Sequence, residues 1–230
     1  MTVPSSWFGP SSYTLALECI SHGLPQMNAI SFASATKYGT PEYFAMHREE
    51  REKVNWAATY LEICKKLGID VAHKKVLVVG VNDGMDIELF NHCQIIGIDP
   101  CHQALALAIA NFPHHEFQIA IAESLPLADA SVDAYIALRV INCSTVDIKS
   151  LVGELQRTLK PNGCFIFSVA NGFFEKNLYN VGVFKDGKVN LEYANYIKDE
   201  LLNLIKEIGT QLTVLEYPIE TFIFGWKKSD

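Results

Sequence analysis

No stretch of about 18 uncharged apolar residues occurs in this 230-residue chain, so no helix that crosses a membrane is expected. The first residues, MTVPSSWFGPSS, lack the basic start and the long apolar run of a secretory signal. Positive charge is in deficit: 19 Lys plus Arg against 26 Asp plus Glu leave a net charge of −7. Nothing in that balance draws the chain to nucleic acid or to an anionic membrane surface. The six cysteines, Cys19, Cys64, Cys93, Cys101, Cys143 and Cys164, include no CxxC pair. Scattered through apolar surroundings, they read as buried free thiols of a reducing compartment rather than a disulfide framework. The same lack of closely spaced ligand pairs argues against a metal, although His92-Cys93 and Cys101-His102 flank one apolar run. Repeats, low-complexity tracts and charge blocks are absent too. A cytoplasmic protein is expected, with neither nucleic acid, membrane nor metal as a partner.

What is present is apolar residue in quantity, 49% of the chain against 20% charged, enough for one sizeable core. Residues 1–40 are rich in Ser, Gly, Pro and aromatics, with one short helical candidate from Ser12 to Ser21, and read as an N-terminal lid or extension. Residues 41–230 read as one domain. Thr40 followed by Pro41 is a helix start, and Phe44, Val54, Ala58, Leu61, Cys64 and Leu67 recur at helical spacing until Gly68. KKVLVVGVNDG then gives a continuous apolar run closed by glycine, the pattern of a strand buried on both faces, over 75–79.

From there the pattern alternates: helix 84–92, strand 94–98, helix 101–111, strands 116–121 and 133–138, helix 147–159, strand 163–169. Alternation of this kind implies a parallel, doubly wound α/β sheet. An insertion at about 172–192 precedes a helix over 193–208 and two strands, 211–217 and 220–227. Those two lie too close in sequence for a helical crossover and should pair antiparallel. The expectation is a mostly parallel seven-stranded sheet with an antiparallel edge strand, plus the N-terminal helical lid.

Ligands of open parallel sheets bind beyond the carboxyl ends of the strands, where strand order reverses, which directs attention to the first turn. In Gly80-Val81-Asn82-Asp83-Gly84, glycine lets backbone approach a ligand, and the N–H groups of a helix start favour a polar or negative group. Fifteen residues after Gly84, the second strand ends in Asp99, a carboxylate suited to accept both hydroxyls of a ribose. The turn lacks the GxGxxG register, so a nicotinamide cofactor is disfavoured.

Four stretches, VLVVGVNDG, IIGIDP, AESLPLADASVDAYIAL and ELQRTLKPNGCFIFSVAN, make the chain resemble the class I S-adenosylmethionine-dependent methyltransferases over roughly residues 43–227, in particular the small-molecule branch. The most specific matches are Leu125-Pro126 with Asp129, Ser131 and Asp133, and the turn Leu159-Lys160-Pro161-Asn162-Gly163-Cys164. The resemblance implies a Rossmann-like fold and S-adenosylmethionine as cofactor, with S-adenosylhomocysteine as product. It implies that Gly80, Val81, Asn82 and Gly84 wrap the methionine portion and ribose, that Asp99 holds the ribose hydroxyls, and that Pro100 or Cys101 borders the adenine. Ala122 would offer its N–H to an adenine nitrogen with Glu123 beside it, while Leu138 and Arg139 would face the methionine portion and the acceptor.

The chain departs from the family pattern at Val78, where an acidic residue is common, at Asn82, where a glycine is common, and at Ile121, where an aspartate meets the adenine amino group. Asn tolerates the left-handed backbone that such a turn needs. Val78 and Ile121 each remove a polar contact, worth about 0.5–1.5 kcal/mol.

Methyl transfer needs an acceptor lone pair in line with the sulfonium carbon, and a base only where the acceptor must lose a proton. The acceptor side is expected under the N-terminal segment (Trp7, Phe8, Tyr13, Tyr38, Tyr43, Phe44, His47) and the insertion (Phe173, Phe174, Tyr179, Phe184), whose aromatics suit an apolar or aromatic substrate. Tyr43 and His47, at i and i+4, share a helix face, and His47 is the candidate base. Arg139 is the candidate for orienting a polar acceptor. The expected partner is a small-molecule acceptor, and the expected state a monomer or homodimer. Two alternatives stand beside methyl transfer: cofactor binding without catalysis, and use of the same fold for another reaction such as cyclisation.

Overall fold

The computed structural model describes residues 56–90, 92–142, 146–170, 191–209, 212–217 and 220–229. The expected lid of residues 1–40, the helix start at Thr40, Tyr43, His47 and nearly all of the 172–192 insertion lie outside them.

Seven strands form one sheet: β1 (Lys75–Val79), β2 (Gln94–Asp99), β3 (Glu116–Ile119), β4 (Val132–Leu138), β5 (Leu159–Ala170), β6 (Thr213–Glu216) and β7 (Glu220–Trp226), in the order β3-β2-β1-β4-β5-β7-β6. The first five run parallel, and β7 pairs antiparallel with both β5 and β6. The sheet is mostly parallel with an antiparallel margin, as the close spacing of the last two strands requires. Tyr217 N–H donates to the Glu220 carbonyl at 2.8 Å to close that hairpin.

The continuous apolar runs are explained by burial on both faces. Leu77 and Val79 of β1, Tyr135 and Ala137 of β4, Phe165 and Phe167 of β5 and Ile223 of β7 pack on α3 (Ile148–Thr158) and α4 (Leu191–Ile205). The alternate residues Val76, Val78, Ala134, Ile136, Cys164, Ile166, Phe222 and Phe224 pack against Ile63 and Cys64 of α1 (Trp56–Leu67), together with Ile87 and Phe90. Leu105 of α2 (His102–Asn111) joins that second face. Helices on both faces make the sheet doubly wound.

Local sequence sets the helix ends. Gly68, with φ of 67°, stops α1: its N–H donates to the Lys65 carbonyl at 3.3 Å and that of Ile69 to the Cys64 carbonyl at 2.9 Å, the paired bonds that satisfy the last carbonyls of a helix. Asp147 opens α3, accepting from Lys149 N–H at 3.1 Å and the Ser150 hydroxyl at 2.6 Å. Ile148, Leu151, Val152 and Leu155 form its buried stripe.

Beyond shifts of up to three residues at the ends of β3, α4 and β6, two elements differ from the sequence expectation. In place of a helix over 84–92 there is a 3-10 helix, Met85–Phe90. Ile87 and Phe90, three apart, are buried, and a three-residue turn stacks such a pair on one line facing the sheet. Strand β5 starts four residues early, at Leu159, which pairs with Val132; the register then shifts between Val132 and Ala134, and Asn162 takes a φ of 62°.

Candidate functional site

From β1 the chain moves outward to β2 and β3, then returns to place β4 on the other side of β1. In open α/β sheets a reversal of this kind is where ligands bind, in the crevice beyond the carboxyl ends of the strands, here β1 and β4. Gly80, Asn82 and Gly84 line its first turn with positive φ values of 68°, 52° and 86°. Gly80 and Val81 donate their N–H groups to the Ile98 carbonyl at 2.7 and 3.0 Å, tying the turn to β2.

The turn and the acid at the end of β2 meet directly. Asp99 is 8% exposed, and its Oδ2 accepts the Asn82 N–H at 2.9 Å while Oδ1 accepts the Cys101 N–H at 2.8 Å. One lone pair on each oxygen is left over from these two bonds, which is what a vicinal diol requires of its acceptor. Burial pushes the carboxyl up to about 6; the two N–H donors pull down and neighbouring Asp83 pushes up.

Two details of the turn differ from the expectation. Its N–H groups are used internally: Asn82 donates to Asp99, Asp83 to the Asn82 side chain at 2.7 Å, Gly84 to the Val81 carbonyl at 3.0 Å, and Met85 to the Asp83 side chain at 3.4 Å. With only a 3-10 helix beyond them, they form no helix-terminal anion cradle. A Cβ added at Gly80 would stand 2.5 Å from Val140 Cγ2, and one at Gly84 would stand 2.8 Å from the Phe112 ring. Left-handed backbone and close protein packing therefore account for both glycines. What the turn offers the crevice is backbone held against Asp99.

The other expected residues fall around the same end of the sheet. Val81 is buried in the core and contributes backbone only. Pro100 is half-buried, and the buried Cys101 thiol is pushed up to about 12 by desolvation first and by Asp99 second. Ala122 is buried in a turn closed by Ser124 N–H to the Ile121 carbonyl at 3.2 Å. Glu123 accepts the Asp147 N–H at 2.9 Å, so this oxygen serves the loop before α3; burial raises its carboxyl above the ordinary range. Leu138 ends β4, half-buried. Val78, where an acid was noted as missing, is 2% exposed within the apolar face that packs on α1.

Arg139 directly follows β4. Its φ is 57°, its N–H donates to Ser168 Oγ at 3.0 Å and to the Ser168 carbonyl at 3.1 Å, and its guanidinium reaches over β5 to Glu220. Nε and Nη2 both lie 2.7 Å from Glu220 Oε2. Sequence reading missed Glu220 and Ser168; the available signal was a lone acid opening the otherwise apolar strand ETFIFGW. Among the described residues no group of three or more His, Cys, Asp or Glu is arranged to hold a metal ion. No helix among them is long and apolar enough to cross a membrane.

The raised Asp99 carboxyl gives a pH dependence with a definite sign. Above about pH 6 the group is ionised and accepts hydroxyls with full strength. A nucleoside that needs the ionised form should bind roughly tenfold more weakly for each pH unit below that value. Cofactor-free stability should move the other way: folding raises this carboxyl above its ordinary value of 3.8, so the group's contribution to stability increases as pH falls from about 6 toward that value. Calorimetric titration with S-adenosylhomocysteine at pH 7.5 and pH 5 reads the first effect.

Comparison with known proteins places these features in context. A family model described as a methyltransferase domain matches residues 77–167, from the first strand through the fifth. A probable S-adenosylmethionine-dependent methyltransferase from Mycolicibacterium smegmatis is 29% identical over 122 residues, 52% of this chain and 47% of that protein. A ubiquinone/menaquinone biosynthesis C-methyltransferase from Rubrivivax gelatinosus is 38% identical over 71 residues, 30% of this chain and 28% of that protein. The aligned part of the chain thus spans less than half of either curated relative. A solved S-adenosylmethionine-dependent methyltransferase from Thermotoga maritima, a possible histamine N-methyltransferase, shares the fold with a TM-score of 0.59 at 21% identity, covering 81% of this chain and 98% of that one.

Proposed function

We propose that this chain is a class I S-adenosylmethionine-dependent methyltransferase, an enzyme that transfers a methyl group from S-adenosylmethionine to an O, N or C atom of a small apolar or aromatic metabolite; the methyltransferase-domain match over residues 77–167 and the shared fold support this reading. The observation that carries the cofactor part is Asp99, a buried carboxylate joined to the glycine turn by the Asn82 N–H at 2.9 Å, with lone pairs to spare where strand order reverses. Asp99 would hold the ribose hydroxyls, Asn82 and Gly80 would present backbone to the methionine portion, and Ala122 would border the adenine. The cofactor supplies an electrophilic methyl carbon. The protein then has to orient the acceptor, exclude water and, for an O–H or N–H acceptor, receive a proton. His47 and Tyr43 remain the candidates for that last role. The net charge of −7 favours a neutral small molecule over a polyanion as acceptor.

Thermal unfolding with and without S-adenosylhomocysteine tests the cofactor reading. At a ligand concentration about 100 times Kd the folded state gains about 2.7 kcal/mol, a rise in Tm of roughly 5–10 °C for a chain of this size. No shift at millimolar ligand with folded protein sinks the proposal. A second reading, cofactor binding without methyl transfer, draws on Val78 and Ile121, which put apolar side chains where the family has acids. Release of S-adenosylhomocysteine on incubating S-adenosylmethionine with phenolic and amine acceptors favours the enzyme.

A further inference from the structure

We propose that Glu220 is the acceptor-binding group of this site: its Oε1 accepts a hydrogen bond from an uncharged hydroxyl or amine N–H on an apolar or aromatic acceptor, and Arg139 is the positioning residue that holds it. The inference deepens the methyl-transfer reading and rests on it.

Glu220 is 1% exposed and is the first residue of β7. Because β7 runs against β5, that first residue pairs with Ala170, the last residue of β5, and stands at the carboxyl ends of the parallel strands. Side chains alternate along a strand, so Glu220 lies on the same sheet face as Phe222 and Phe224, the face that Leu138 also packs against. The Tyr217 ring meets Phe222 edge-on at 5.6 Å, which gives this corner an apolar, aromatic character.

The pairing with Arg139 is lopsided. An Arg–carboxylate fork normally sets one N–H on each oxygen. Here Nε and Nη2 both fall on Oε2, at 2.7 Å each, and Oε1 is buried with no hydrogen-bond partner among the described residues. A buried carboxylate oxygen left in that state asks for a donor. Arg139 is fixed by its own backbone, left-handed at φ 57° and bonded to Ser168 Oγ, which is itself fully buried. Left-handed backbone is unfavourable for an arginine, so the arrangement is one that the surrounding structure imposes.

Charge narrows the ligand. The guanidinium offsets the carboxylate, so the pair offers no net field to draw in either an anion or a cation. A neutral donor, O–H or N–H, satisfies Oε1 without bringing a second charge into an apolar corner. Glu220 lies two strands from β4, across β5, so a molecule donating to it extends toward Leu138 and the crevice.

Phenol and its methyl ether, anisole, are the probes: they share shape and differ in the donor. Their affinities are measured by ligand-observed NMR on the full chain, with and without S-adenosylhomocysteine, for the wild type, Glu220→Gln and Arg139→Lys. The wild type should prefer phenol by about tenfold, as one hydrogen bond to a charged group implies. In Glu220→Gln the amide keeps its oxygen for Arg139 and turns its NH2 outward, so the preference should fall to about one while S-adenosylhomocysteine affinity stays within twofold. Arg139→Lys should reduce the preference in part, an effect that loss of stability alone does not produce.

Equal binding of the two probes by the wild type, failure of both to bind at 50 mM, or a preference that survives in Glu220→Gln overturns the proposal and leaves the pair as a staple between β4 and β7. If Glu220→Gln does not fold, the wild-type preference decides, with a crystal of the phenol complex showing whether its hydroxyl sits on Oε1. Absence of S-adenosylhomocysteine binding by the wild type sinks the cofactor reading, while the probe comparison without that ligand still judges Glu220.

Discussion

Substituting Asn for Asp99 is expected to weaken S-adenosylhomocysteine binding about 100-fold or more and to leave the cofactor-free protein folded. Two hydroxyls donating to one carboxylate amount to two charge-assisted hydrogen bonds, about 1.5–3 kcal/mol each, and the amide offers one acceptor where the acid offers two oxygens. Stability responds differently because the two costs of the change oppose each other. The buried charge that desolvation penalises is removed, since the acid is held up at about 6. Against that, the amide can accept from only one of the Asn82 and Cys101 N–H groups, which the carboxylate serves at 2.9 and 2.8 Å. Isothermal titration calorimetry and the cofactor-free Tm separate the two effects. An unchanged Kd would move the nucleoside away from the end of β2. An unchanged Kd with altered pH dependence is not available to this arrangement, because the pH dependence originates in the same carboxylate.

Most of the fold was legible because its causes are local. Val76 to Val79 had to be a strand buried twice over, and all four are at most 2% exposed. Gly68 had to stop a helix, and it does so in the left-handed conformation. Over the six residues Met85–Phe90, by contrast, a period of 3.0 and a period of 3.6 predict nearly the same buried positions, so the 3-10 helix was not distinguishable from an α-helix. The site divides in the same way. Asp99 was legible from a strand ending in an acid, and its bond to the turn spans only 17 residues. Glu220 was not, because its partner Arg139 lies 81 residues earlier and only the sheet order brings the two together. Likewise the internal use of the turn's N–H groups depends on where Asp83 and Asn82 aim their side chains, which spacing does not reveal.

The two stretches that most strongly marked the family in the sequence, LPLAD and ELQRTLKPNG, are each other's hydrogen-bond partners, and this gives the second large expected effect. Arg157 near the end of α3 donates to the carbonyls of Leu125 and Leu127, to Asp129 at 2.9 Å and, twice at 2.8 Å, to Glu154. Glu154 in turn accepts the Leu125 N–H at 2.6 Å. One arginine thus clamps the loop that follows Ala122 and Glu123 onto the helix below it. Arg157→Ala should lower stability by about 2–4 kcal/mol, since it strips partners from half-buried groups at once. For a chain of this size that is a fall in Tm of roughly 4–16 °C. Asp129 is 80% exposed on its side chain and contributes little of this; Glu154, at 16%, contributes most.

The sign of the pH dependence identifies the pair. The hydrogen bond from Arg157 is the first cause holding the Glu154 carboxyl below its ordinary 4.5, with burial opposing it. The stabilisation is therefore complete above about pH 4.5 and is lost as pH falls through the lowered value. Wild type and Arg157→Ala should converge in stability as acidification passes through that lowered value, and urea unfolding at pH 7 and at successively lower pH measures it. A gap that persists at the lower pH assigns the loss to the backbone carbonyls of Leu125 and Leu127 instead. In either case the cofactor-free Tm should drop, which Asp99→Asn should not cause, so the two variants separate an effect on stability from an effect on binding.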